Sequence, residues 1–333
     1  MTLRPFGRTG LSVSRLGLGL AAVGRPGYIT LGRTRDLPAT RTPDALAART
    51  AELCDAAWAS GIRYFDVARS YGRAEEFLAR WLTARTVAPD AVSVGSKWGY
   101  RYTADWSVDA TVHEEKQLTL PRFESQLAES RGLLGTQLDL YQIHSATAES
   151  GCLTDERLLA AMVTARRSGA CRALGLSLSG PSSDRALTLA LEARVDGERV
   201  FDAVQATVNV LEPSLLPLLA MAHVEGLGVI AKEIHANGRL TEANRRAEDS
   251  ATITRLANVA SAAGVAIADL ALAFVLHQPQ IDVALSGAAT IAQLNGHVAA
   301  AATALDDAAL AALAPCAEQR DVYWHTRASL PWT

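Results

Sequence analysis

Four side chains of this sequence could together move a proton onto or off an alcohol oxygen: an acid, Asp66, a phenol, Tyr71, an ammonium, Lys97, and an imidazole, His144. They arrive in that order in GIRYFDVARSYG, VSVGSKWG and DLYQIHSA, each at the end of a short apolar run or in the loop that follows it. A phenol with a pKa of about 10 is a poor acid at neutral pH. A neighbouring cation favours the phenolate, and at about 4 Å it contributes roughly 4 kcal/mol at an intermediate effective dielectric. A buried lysine in turn needs a carboxylate partner to keep its charge. The four types are therefore chemically complete for reducing a carbonyl, given a hydride donor beside them.

Taken singly, each residue has a plainer reading. Asp66 could cap a helix or sit on the surface, Tyr71 could be an aromatic on a loop rim, and His144 could be a satisfied core histidine. Lys97 is harder to dismiss, because a lysine ending a buried strand needs a partner. The joint plain reading requires four coincidences in one order, and that is what favours chemistry. The expected roles are Tyr71 as proton donor or acceptor and Lys97 as the charge that lowers its pKa. Asp66 is the expected counter-ion of Lys97, and His144, neutral, orients and polarises the carbonyl. Such acid–base groups typically contribute about 10² to 10⁴ in rate.

The elements that must position them are short apolar runs alternating with longer amphipathic stretches, the sequence form of repeated β–α units and a parallel sheet. Eight strands are expected, at residues 16–20, 63–67, 92–96, 138–144, 173–177, 203–207, 228–231 and 283–285. Helices are expected at 44–58, 74–82, 122–134, 155–167 and 182–192, the third because Phe123, Leu127 and Leu134 recur near the helical period. Asp184, Glu212-Pro213 and Thr290 read as helix starts. The opening LRPFGRTGLSVSRL reads as two short strands around a Gly-containing turn. Residues 24–43 and 234–249 read as loops, and loops of that length in compact domains are usually functional or mobile.

The chain has 333 residues and is 49% hydrophobic with a formal net charge of −3. That length fits one large barrel, for which roughly 250 residues is usual, and no repeat, linker or domain boundary divides it. The charge leaves no basic footprint for nucleic acid, and no apolar run is long enough to span a membrane. Cys54, Cys152, Cys171 and Cys316 are scattered, without a CxxC or a disulfide framework. A cytoplasmic enzyme is expected, with a small-molecule carbonyl or alcohol as substrate, and a homo-oligomer is compatible with it. No HExxH, GxSxG or GxGxxG appears, so no metal, no serine nucleophile elbow and no Rossmann site is expected. TVHEEK reads as a solvated charged segment. Trp98 and Tyr100, following Lys97, read as lining a substrate pocket.

At these residues the sequence resembles the aldo-keto reductase superfamily. GIRYFDVARSYGRAEEFLARWL is similar to that family's second-strand block, in which the acid and the tyrosine stand five residues apart. The resemblance runs from LRPFGRTGLSVSRLGLG through SGAATIAQL. It implies one (β/α)8 TIM barrel over residues 1–333, with an N-terminal β-hairpin plug, a C-terminal extension that reaches the pocket rim, and a nicotinamide cofactor, NADP(H) or NAD(H). It also implies that Ser177 and Gln205 hold the carboxamide, that Lys232 covers the nicotinamide face, and that Gly238 lies at the pyrophosphate, with Arg239, Arg245 or Arg246 as candidates to meet a 2′-phosphate. Gly287, Gln293 and His297 fall in the segment around the adenosine phosphate. Five positions depart from the pattern: Leu178 and His297 replace asparagines, Lys232 an aromatic, and Ala289 and Gln293 basic residues that a 2′-phosphate would want. Two other readings share the fold, a cofactor-binding sensor or regulatory subunit with little turnover and a non-redox isomerase or lyase using the same tetrad.

Overall fold

The computed structural model describes residues 1–37 and 40–333. A hairpin of β1 (Leu3–Pro5) and β2 (Ser12–Ser14) precedes the barrel. The units that follow are β3 (Leu16–Gly19), α1 (Pro43–Ala59), β4 (Tyr64–Asp66), α2 (Ala74–Ala84) and β5 (Ser93–Trp98). A second hairpin, β6 (Tyr100–Tyr102) with β7 (Glu114–Lys116), interrupts the alternation before α3 (Leu120–Leu134) and β8 (Leu140–Ala146). Then come α4 (Glu156–Arg167), β9 (Ala173–Leu178), α5 (Ser183–Glu192), the small β10 (Arg194–Val195) and β11 (Glu198–Arg199) ribbon, and β12 (Ala203–Thr207). The chain continues through α6 (Leu216–Val224), β13 (Gly228–Lys232), α7 (Ser250–Ala263), α8 (Ile267–His277), β14 (Val283–Ser286), α9 (Ile291–Ala300), α10 (Asp307–Leu313) and α11 (Arg320–Ala328).

Strands β3, β4, β5, β8, β9, β12, β13 and β14 pair in parallel around a closed ring, a (β/α)8 TIM barrel. Each of the eight expected strands is present within about two residues of its expected place. Buried parallel strands are apolar on both faces, which makes their runs visible in sequence. One helix start differs. Asn209 Oδ1 accepts from the N–H groups of Leu211 and Glu212 at 2.9 and 3.0 Å, so a turn occupies Glu212-Pro213 and α6 begins at Leu216.

The N-terminal hairpin closes the bottom of the barrel. Phe6, Leu11 and Val13 pack on Tyr64, Leu140, Ala173, Ala203 and Ile230, all fully or almost fully buried. Gly228 is required there, since a Cβ on it would lie 2.4 Å from the Phe6 ring. Three loops at this end use one device. Asp139, Asp202 and Asp282, each just before a strand, accept the backbone N–H of Val94, Leu174 and Val229 at 2.9, 2.8 and 2.9 Å. These bonds satisfy the N–H of the second residue of a neighbouring strand and fix its register. Among the described residues no single helix is long and apolar enough to cross a membrane.

At the opposite, C-terminal end the loop expected at 24–43 crosses the barrel mouth; its Pro38 and Ala39 lie outside the described residues. Arg33, 2% exposed, donates to the carbonyl oxygens of Ala22, Arg25, Pro26 and Thr333. Tyr28 and Thr333 exchange backbone hydrogen bonds of 3.1 and 3.0 Å, so the first loop and the C-terminal segment form one strap. The loop expected at 234–249 clasps it from the other side, with Asn237 Nδ2 donating to Ile29 O at 2.8 Å and Leu31 N to Asn237 O at 2.9 Å.

Candidate active site

Strand ends bring Asp66, Lys97 and His144 together with Tyr71, which sits in the loop after β4. Asp66 is the last residue of β4, and Lys97 stands beside it near the end of β5, 0% exposed. Lys97 Nζ is ion-paired with Asp66, donates to the Val67 carbonyl at 3.1 Å, and lies 3.4 Å from Tyr71 Oη. The second oxygen of Asp66 accepts from Gln205 Nε2 at 2.9 Å and from Tyr64 Oη at 3.4 Å. Gly95 makes room for that phenol, because a Cβ there would meet the Tyr64 hydroxyl at 2.3 Å.

His144 is placed by a bulge. In β8 against β9 the register advances three residues from Ile143 to Ala146 while the partner advances two, and Ser145 takes φ 54°. An extra residue in a strand re-aims its neighbours. The imidazole packs edge-on to the rings of Tyr71 and Tyr100, at 5.5 and 4.9 Å between centroids, with Nδ1 3.4 Å from Ser70 Oγ. Burial, and next the cation of Lys97, push its pKa well below the usual imidazole value.

Burial, and next the Asp66 carboxylate, hold the Tyr71 pKa well above the usual phenol value, with Arg25 acting in the opposite direction. The sequence predicts the reverse, a phenol acidified by Lys97. The reason for the difference is that the lysine charge is already matched by Asp66, so desolvation of the phenolate dominates. Tyr71 therefore stays protonated through neutral pH, ready to donate.

A cavity of about 440 Å³ opens above these residues. Its walls include Asp66, Tyr71, His144, Gln205, Lys232, Tyr100, Gly238, Gly287, Gln293 and His297 among the residues singled out in the sequence. Lys232 Nζ donates to Thr207 Oγ1 at 2.8 Å and Ser179 Oγ at 3.1 Å, and burial, against the opposing pull of Glu233, lowers its pKa to about 8. At the far end the rings of His235 and His297 stack at 4.7 Å, and Gln293 closes the capping box of α9. Gln293 Nε2 also donates to Asp36 Oδ2 at 2.9 Å.

Three expected site residues lie elsewhere. Trp98 is fully buried and packs on Phe123, away from the cavity, because adjacent residues of a strand point to opposite faces and Lys97 takes the inner one. Arg239 is 3% exposed and held by Asp249 and Glu318, so its guanidinium is committed away from any phosphate. Ser177 does not reach the cavity wall; its Oγ accepts the Ser145 N–H at 2.8 Å across the bulge, and Ser179 lines the cavity instead.

Other wall residues were not singled out in the sequence, although the C-terminal extension was expected to reach the pocket rim. Arg25, Tyr28 and Asp36 come from the first loop, and Arg327 and Trp332 from the C-terminal segment VYWHTRASLPWT. Glu114 comes from TVHEEK, which is solvated at Thr111, Val112, Glu115 and Lys116 but turns two residues inward: Glu114, in β7, pairs with Arg25 at 2.7 Å, and His113 stacks on Trp332 at 4.0 Å. No three His, Cys, Asp or Glu side chains among the described residues stand close enough to hold a metal ion.

A model of the aldo/keto reductase family matches residues 15–318. The chain is 26% identical over 336 residues to a pyridoxal 4-dehydrogenase from Microbacterium luteolum, covering 89% of this chain and 91% of that protein. Among solved structures it resembles the holo form of the aldo-keto reductase AKR11C1 from Bacillus halodurans, with a TM-score of 0.75 and 19% identity over 96% of this chain and 97% of that one. It also resembles PA4992, a provisionally assigned aldo-keto reductase from Pseudomonas aeruginosa, with a TM-score of 0.64 and 23% identity over 91% and 96% of the two chains.

Proposed function

The chain belongs to the aldo/keto reductase family, and from that premise we propose that it is an NAD(P)(H)-dependent oxidoreductase interconverting a carbonyl and an alcohol, with Tyr71 handling the proton. The observation that carries this reading is Lys97 Nζ, buried between Asp66 and Tyr71 Oη, two residues that line the cavity. Members of this family use nicotinamide cofactors and act on small carbonyl compounds. The Microbacterium luteolum relative, a pyridoxal dehydrogenase by name, supports an aromatic aldehyde or its alcohol as substrate.

In the direction of reduction, the carbonyl oxygen accepts the Tyr71 phenolic proton. As that proton leaves, Lys97 at 3.4 Å steadies the developing phenolate, and Asp66 keeps the lysine charged. His144, kept neutral by burial, carries its proton on Nε2 when Nδ1 accepts from Ser70 Oγ, and donates that N–H to the same carbonyl oxygen. Two donors aimed at one oxygen stabilise negative charge where it develops. Oxidation runs the same groups backward, with Tyr71 accepting.

The residues present fit a nicotinamide cofactor. Gln205 spends its amide N–H on Asp66, and its carbonyl oxygen accepts from no protein group among the described residues, leaving it for a carboxamide donor. The cavity continues from the tetrad past Lys232 to Gly287, where a Cβ would meet nothing within 4 Å, and on to the start of α9. A cofactor bound there supplies or takes up the hydride.

The test is paired. Tryptophan quenching by NADH and NADPH reads the cofactor site, and turnover of aromatic aldehydes and alcohols reads the chemistry. Tyr71→Phe is expected to cut kcat/KM by about 10² to 10⁴ with cofactor affinity retained. Undiminished turnover by that variant would remove Tyr71 from the mechanism.

A further inference from the structure

Arg25 stands on the cavity wall 2% exposed, yet one edge of its guanidinium lacks a partner. Nη1 is saturated, donating to the Ser70 carbonyl at 2.8 Å and to Glu114 at 2.7 Å. Nε is buried with no hydrogen-bond partner, and no acceptor meets Nη2 among the described residues. Nε and Nη2 form the side-on edge of the fork, the edge that receives an oxyanion through two parallel hydrogen bonds. Leaving a buried donor unsatisfied costs about 1–3 kcal/mol, so an empty edge in a cavity wall points to a ligand group that fills it.

The surroundings select the ligand. The guanidinium lies 5.6 Å from the Tyr71 ring, 5.5 Å from Tyr28 and 4.9 Å from Trp332, so it adjoins the proton donor and is flanked by flat aromatic faces. Trp332 is fixed from its other side by the stacked His113 ring at 4.0 Å. With the guanidinium carbon 5.6 Å from the centre of the Tyr71 ring, one flat substrate ring can present its carbonyl oxygen to Tyr71 and an adjacent oxyanion to Arg25. Glu114 keeps the wall from being a bare cation and offers a second carboxylate oxygen to a donor on the same ring.

We propose that Arg25 is a substrate-binding, specificity-determining residue, and that the preferred substrates are aromatic aldehydes or alcohols carrying an oxyanion ortho to the reacting carbon. The assignment rests on the carbonyl–alcohol reading above and adds what that reading leaves open, the class of substrate. Ring compounds without the oxyanion leave the Arg25 edge empty and bind without its contribution.

The experiment compares kcat/KM for salicylaldehyde, 2-methoxybenzaldehyde and benzaldehyde at a pH where the phenol of the first is ionised. The expected result is a preference of about 10- to 100-fold for salicylaldehyde, the effect of a charge-assisted pair at a buried guanidinium. In Arg25→Gln the ratio falls toward one, and in Arg25→Lys, which keeps the charge but not the fork, it is intermediate. Turnover of all three aldehydes by the wild-type protein with no preference overturns the Arg25 assignment and leaves the oxidoreductase reading standing. No turnover of any carbonyl with either cofactor overturns that reading instead. Calorimetric titration with salicylate then decides Arg25 alone: affinity at least tenfold weaker in Arg25→Gln supports it, and equal affinity overturns it.

Discussion

Lys97 Nζ lies 3.4 Å from Tyr71 Oη while its charge is matched by Asp66, and the three groups form a line from the barrel wall to the cavity. The pairing answers two demands at once. Buried at 0% exposure, the ammonium could not stay charged alone, and with Asp66 fully engaged by Lys97, Gln205 and Tyr64 the carboxylate is equally settled. What reaches Tyr71 is a cation whose field is largely balanced in the resting state and is felt mainly when the phenol loses its proton.

This arrangement fixes the pH dependence. With the Tyr71 pKa held well above the phenol value by burial and Asp66, the donor is protonated throughout the neutral range. The rate of reduction should therefore be flat in Tyr71 protonation from about pH 6 to 9, while alcohol oxidation, which needs the phenolate, should climb with pH. His144, pushed well below its usual value, contributes no limb near pH 6.5. Lys232, lowered to about 8, is the wall group that titrates in the range, and a limb near pH 8 should vanish in Lys232→Met. A limb near 6.5 abolished by His144→Gln would contradict the assignment.

Removing one member of the buried pair should be expensive. Lys97→Met leaves Asp66, 2% exposed, without its cation. Breaking a buried pair in this way costs about 3–5 kcal/mol. A Tm lower by on the order of 10 °C is expected for a chain of this size. Adding Asp66→Asn should restore part of the stability and none of the activity. Denaturant unfolding of both single variants and the double variant gives the coupling energy, and strict additivity would mean that the two charges do not sense each other.

At the far end of the cavity Asp36 and Gln293 stand together, joined by a 2.9 Å hydrogen bond, at the segment whose sequence resembles the adenosine-phosphate region. The cation beside Ala289 is Arg49, and it is already engaged, donating to the Ala289 carbonyl at 3.1 Å and pairing with Glu52 at 3.3 Å. A carboxylate facing a 2′-phosphate dianion is repulsive, so NADH should bind more tightly than NADPH. In Asp36→Asn the gap should narrow about three- to tenfold through improved NADPH affinity, an effect of roughly 1 kcal/mol. Unchanged preference would place the discrimination elsewhere.

The barrel and the tetrad were legible for one physical reason. Parallel strands buried on both faces must be apolar runs, and a polar residue ending such a run must face the mouth, as Asp66, Lys97 and His144 do. Trp98 was legible too and was misjudged, since period-two alternation from Lys97 already turns it outward. Arg25 and Glu114 were not legible, and Trp332 only as part of a C-terminal extension that the resemblance brings to the pocket rim. Their places depend on backbone bonds such as that between Tyr28 and Thr333, and on a hairpin that pairs Tyr100 with Lys116. Contacts so distant in sequence leave no local period. Arg239 stood with Arg245 and Arg246 as a loop arginine that could meet a phosphate, and only the fold shows Asp249 and Glu318 holding it.

The strap that carries Arg25 is itself held by one side chain. Arg33 is buried and donates to four carbonyl oxygens, three of them in its own loop and one, at 2.8 Å, in Thr333 at the other end of the chain. No shorter or less branched donor can serve four acceptors, and Arg33→Met would leave these carbonyls in a dry site. At about 1–3 kcal/mol for each buried group left unmatched, the loop and the C-terminal segment should detach locally before the barrel unfolds. Amide exchange in residues 22–37 and 328–333 is expected to accelerate by at least tenfold in Arg33→Met, with the barrel strands unaffected. Because Tyr28, Arg25 and Trp332 ride on these segments, KM for an aromatic substrate should rise while kcat changes less. Exchange in both segments as slow as in the wild-type protein would show that the strap is held by its backbone bonds alone.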